Sequence, residues 1–74
     1  MKIVLNNYEP KDAIRIIREW TELERSEFGK TINRAGDTIK NYELGRNNYS
    51  VLLLKEIAKK HNLIITIEKK WWKV

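Results

Sequence analysis

The segment Phe28 to Arg46, FGKTINRAGDTIKNYELGR, holds the residues best able to do chemistry. Around Ile39 it presents Gly36, Asp37, Thr38, Lys40 and Asn41, a polar and partly basic set on one short helix. Such a face suits hydrogen bonding to base edges in a DNA groove. Two of its positions are unusual for that task. Gly36 has no side chain, and Asp37 repels phosphate, although a carboxylate can accept from a cytosine amino group. Two helices packed into a core would also show solvent a polar face, so the spacing of the apolar residues beneath it must decide.

Catalytic chemistry is not expected. The chain has no activated nucleophile with an adjacent base and no glycine-rich phosphate loop. The acids Glu22, Glu24 and Glu27 read as solvated surface. With no cysteine and one histidine, neither a disulfide nor a structural zinc site is available. His61 reads as a cation at a helix C-terminus. No cofactor is expected. The net charge of +5 favours an anionic partner such as nucleic acid.

The apolar spacing fits a helix-turn-helix over about residues 25–43. A second helix crossing close over a first requires a small residue in the first, and Gly29 supplies it. Asn33, four residues on, tolerates the left-handed backbone of a turn. Ile39, ten residues after Gly29, anchors the second helix from beneath.

The elements that must position this segment follow from period and punctuation. KIVLN is β-branched and predicts a strand at about 2–5. Pro10 suits a first helical turn, and Ala13, Ile14, Ile17 and Trp20 repeat at helical spacing to about Thr21. Helices follow from about Arg25 to Ile32 and from Gly36 to Glu43, with Gly45 as a left-handed stop. Ser50 caps a last helix, VLLLKEIAKKHN, which turns Leu54, Ile57 and Ala58 inward and ends on Asn62. LIITIEKKWWKV then alternates at strand period, predicting a strand at about 63–69. A lone strand is unstable in water, so it pairs with KIVLN, either within the chain or across a dimer. With 74 residues the chain is one small domain. No apolar run approaches the ~20 residues of a membrane span, and the apolar run in MKIVLNNYEPKD is too short for a signal peptide. A cytoplasmic protein is expected.

From about Ile14 to Leu63 the chain resembles the lambda-repressor-like, Xre/Cro-type helix-turn-helix family. The likeness is carried by Arg18, Leu23, Phe28-Gly29, Ile32, Asn33 and Thr38-Ile39, then NYELG and the later S…LLKEIAKKHNL. It implies a mainly α domain of four to five helices, here with short terminal strands. It also implies an ion pair between Arg18 and Glu43 that ties the first helix to the third. Arg25, Arg46, Asn47 and Asn48 would correspond to phosphate contacts. Ala35 to Asn41 correspond to the recognition helix, with Gly36, Asp37, Lys40 and Asn41 nearest the bases. The chain departs from the family in having Asn33 for glycine and Ala35 for a capping Ser or Thr, leaving Asn33 or water to cap the helix. Base reading then concentrates on Thr38, Lys40 and Asn41, with Arg34 beside them.

The resemblance implies a sequence-directed transcriptional regulator, a repressor acting on double-stranded DNA as a homodimer. The terminal strand looks like the antitoxin-type branch. Two alternatives follow: an antitoxin that represses its own operon and blocks a toxin, and an adaptor that binds only protein. Leu52, Leu53, Trp71 and Trp72 exceed what a small helical core needs. They either cover the strands or form a dimer or partner surface.

Overall fold

The computed structural model describes residues 1–68. Trp71, Trp72 and the end of the predicted second strand lie outside them. The elements run β1 (Lys2–Val4), a single 3-10 turn (Leu5–Asn7), α1 (Pro10–Thr21), α2 (Arg25–Thr31), α3 (Gly36–Glu43), α4 (Val51–His61) and β2 (Ile64–Thr66). The domain is mainly helical, with two short strands beside it.

Pro10 opens α1, where its missing N–H costs nothing, and the Glu9 carbonyl accepts from Asp12 and Ala13 at 3.0 and 2.9 Å. Ala13, Ile14 and Ile17 are fully buried, and Ile16 packs half-buried against the same core. Trp20 does not follow them inward. It is 47% exposed, because the last turn of α1 outruns the core before the chain reverses at Glu22, whose φ is 63°. α2 starts with a capping box in which the Glu24 side chain accepts from the backbone of Glu27 and the Glu27 side chain from that of Glu24. These two acids are therefore structural, beyond the solvated surface expected of them.

The turn from α2 to α3 is tight. Asn33 takes the left-handed conformation, with φ 57°, and the Arg34 N–H donates to the Gly29 carbonyl at 2.8 Å. A Cβ on Gly29 would lie 2.2 Å from the Arg34 carbonyl oxygen, so only glycine allows this approach. Phe28, Ile32 and Ile39 are buried beneath the turn. Ala35 gives α3 no side-chain cap, and no hydrogen bond from Asn33 replaces it among the described residues.

Ser50 Oγ accepts from Leu53 N–H at 3.1 Å to start α4, and Asn62 ends it with φ 53°. Leu53, Leu54 and Ile57 are its buried residues. Leu53 lies one turn before Ile57 and belongs to the core, at 1% exposure, whereas Leu52 is 65% exposed. Leu53 is therefore a core residue, and of these two leucines only Leu52 is left on the surface.

The strands pair within the chain, and in parallel, with Lys2 opposite Ile64, Ile3 opposite Ile65 and Val4 opposite Thr66. Parallel pairing demands a long crossover, and here all four helices supply it. Ile3 and Leu63 enter the core. Beyond the strands, the Asn6 amide imitates one more residue of ladder. Its Nδ2 donates to the Glu68 carbonyl and its Oδ1 accepts from the Glu68 N–H, each at 2.8 Å.

Candidate nucleic-acid interface

Glu43 organises the three central helices. Its side chain is 1% exposed and accepts from Arg18 Nε at 2.5 Å and Arg18 Nη2 at 3.0 Å, a bidentate clamp. Arg18 Nη1 donates further to the Leu23 carbonyl at 3.1 Å. The Glu43 hydrogen bond, foremost, raises the Arg18 pKa. The expected Arg18–Glu43 tie between α1 and α3 is present. A second cation joins it: Arg25 Nε donates to Glu43 Oε1 at 3.2 Å. Arg25 was expected to face phosphate, and part of its guanidinium is engaged inside the protein. Its side chain remains 40% exposed, and its Nη groups make no hydrogen bond among the described residues.

Between the start of α2 and α3 lies an open groove of about 410 Å³, lined by Arg18, Glu24, Arg25, Ser26, Gly36, Asp37 and Lys40. Gly36 is one of the lining residues and also meets α2. A Cβ there would lie 3.1 Å from Ser26 Cα and 3.2 Å from Ser26 N, so Gly36 packs α3 onto α2. Asp37 and Lys40, three residues apart on α3, are both exposed. Neither belongs to an ion pair among the described residues. The groove therefore offers the Lys40 ammonium and part of the Arg25 guanidinium beside two carboxylates, Asp37 and the capping Glu24.

The other residues expected to read bases are placed differently. Arg34 Nη1 donates to the carbonyls of Ile32 and Asn33 at 3.0 and 3.3 Å, so it clamps the turn. Thr38 and Asn41 are half-buried. The expected phosphate contacts Arg46, Asn47 and Asn48 are exposed in the loop after α3. Asn47 and Asn48 line a separate groove with Glu9, Lys11, Tyr42, Gly45 and Tyr49. Tyr49 fastens this loop to α1. Its hydroxyl donates to the Pro10 carbonyl, its ring meets Tyr42 edge-on at 5.4 Å, and burial raises its pKa. Lys11, Ser26 and Glu24 drew no functional expectation from the sequence. The only signal for Ser26 was the small Gly36 that packs against it.

His61 is not the solvated helix-end cation expected. Its ring stacks on Phe28 with centroids 5.1 Å apart and planes at 13°. The Thr31 hydroxyl gives its proton to the Phe28 carbonyl at 2.6 Å, so His61 Nε2, 2.9 Å away, must be the donor to Thr31 Oγ1. Burial lowers the His61 pKa, which favours the neutral ring. Among the described residues no cluster of His, Asp or Glu could hold a metal ion, and no helix is long and apolar enough to cross a membrane.

Away from α3, two adjoining apolar grooves of about 260 and 190 Å³ share Leu5, Val51 and Leu54. Val51 borders both at 69% exposure, and Ile67 the larger one at 73%. No protein-family model, curated protein or solved structure matches the chain.

Proposed function

We propose that the chain is a sequence-directed DNA-binding transcriptional regulator, a repressor of the lambda-repressor-like helix-turn-helix kind that its sequence resembles. In this reading α2 and α3 are the two helices of the motif, and α3 enters the major groove. The observation that carries it is the state of α3. Gly29 and Glu43 lock it against α2 and α1, yet Asp37 and Lys40 stand exposed and, among the described residues, without ion-pair partners. Arg25 and Arg46 would supply phosphate contacts at either end, making affinity strongly salt-dependent.

The regulator would act in the cytoplasm as a homodimer, with half-sites about 34–36 Å apart on one face of the duplex. The strands pair within one chain and so provide no reason for the dimer. Support for one comes instead from the exposed apolar grooves around Val51 and Ile67. The same grooves favour the second reading, an antitoxin or adaptor that holds a protein partner there.

A gel shift against the DNA upstream of the protein's own gene tests the first reading. A complex at micromolar protein that weakens steeply with salt supports it. Failure to form any salt-sensitive complex overturns it in favour of a protein-binding role. Light scattering at tens of micromolar tests the dimer, and a monomer would overturn it.

A further inference from the structure

Resting on the DNA-binding reading, we infer that α3 selects a C·G base pair, with Asp37 accepting from the cytosine N4 amino group and Lys40 donating to guanine O6 and N7. Six residues of this segment have the position to read bases, and exposed charged side chains single out two of them. Arg34 Nη1 is held by the carbonyls of Ile32 and Asn33, Gly36 has no side chain and packs against Ser26, and Thr38 and Asn41 are only partly exposed. Asp37 and Lys40 remain, both exposed and both lining the groove between α2 and α3. At a spacing of three on a helix their Cβ atoms lie about 5–6 Å apart, close enough to serve one base pair.

The order of hydrogen-bonding groups across the major groove then decides which pair. A G·C pair places its two acceptors, N7 and O6, side by side, with the single N4 donor beyond them. A point-charge ammonium meets the joined acceptors, and a carboxylate meets the donor. An A·T pair places its donor between two acceptors, so a carboxylate reaching N6 would face an acceptor on either side. The thymine methyl group adds an apolar obstacle. Asp37 also repels phosphate, which lowers affinity for every duplex lacking the cytosine contact.

The full chain would be put through in vitro selection, and the best duplex tested with each C·G pair under α3 changed in turn. One such pair should be required. Its replacement by T·A should weaken binding roughly 5-fold to 100-fold. Asp37→Ala should weaken that preference to what the Lys40–guanine contact alone supplies, while binding random DNA more tightly than the wild-type chain. Asp37→Asn should move the preference toward A·T, because an asparagine bonds both adenine N6 and N7. Circular dichroism confirms that both variants are folded, as expected at an exposed position. Selection without a favoured C·G pair overturns the inference while leaving DNA binding intact. So does an Asp37→Asn variant that keeps the wild-type preference. Absence of a salt-sensitive complex with every duplex overturns both together.

Discussion

Arg25 Nε and Arg18 Nη2 converge on the same oxygen of Glu43, Oε1, at 3.2 and 3.0 Å. The two arginines are nevertheless unequal. Arg18 is largely buried and bidentate, whereas Arg25 is 40% exposed and uses one nitrogen. Removing one partner of a buried pair costs about 3–5 kcal/mol, mostly by stranding the other charge. Because Arg25 stays to share the load, Arg18→Ala should cost about 3 kcal/mol in urea unfolding. Arg25→Ala should cost less than about 1 kcal/mol, as exposed pairs do. Equal losses would show that the carboxylate draws on both alike.

Gly29→Ala places a methyl group 2.2 Å from the Arg34 carbonyl. Relief requires the α2–α3 turn to open, and overpacking of this kind costs about 3 kcal/mol or more. The melting temperature should fall by roughly 12–24 °C for a domain of this size. Gly36→Ala meets Ser26 only at 3.1–3.3 Å, and the better helix former offsets part of that crowding. Its melting temperature should move by only a few degrees. The contrast in two thermal melts checks which glycine carries the crossing.

These two glycines show what could be read in advance and what could not. Gly29 was legible because a close helix crossing needs a small residue at a fixed distance from a turn. Pro10, Ser50, Asn62 and Gly45 were legible for a similar reason: each acts on its own local backbone. Gly36 was not, since its neighbour Ser26 is ten residues away and the contact exists only after folding. Arg25 and Arg34 show the same limit, because long polar side chains choose partners from the tertiary surroundings. Parallel pairing of the strands was also invisible, as alternation sets which face is buried but not direction. Leu52 and Leu53 needed the exact phase of α4, which three consecutive leucines obscure.

His61 makes stability depend on pH. Its folded-state pKa lies below the unfolded value of 6.5, so the unfolded chain takes the proton first. The contribution is therefore fully present above about pH 6.5 and is lost as pH falls through the lower folded value. His61→Phe keeps the stack on Phe28 and removes the titration. Subtracting its unfolding free energy from that of the wild-type chain between pH 7 and 5 should isolate a decline. A flat difference would show that His61 is as solvated as an unfolded histidine.

If the loop after α3 meets phosphate, Arg46→Ala should weaken binding to operator and random duplex by the same factor. It should also flatten the slope of log affinity against log salt by about one unit. Titrations at several salt concentrations measure both. A selective loss on the operator would move Arg46 from the phosphate backbone to the bases.

The pairing of β1 with β2 has a mechanical consequence. The strands are parallel, and the chain enters β1 at its first residue and leaves β2 at its last. Tension applied between Met1 and Glu68 therefore pulls the strands in opposite directions along their own axes. The ladder and the two Asn6–Glu68 hydrogen bonds are then loaded together in shear, whereas an antiparallel hairpin would open one bond at a time. This small clasp should resist stretching as a single latch, so the four helices behind it stay folded until it gives way.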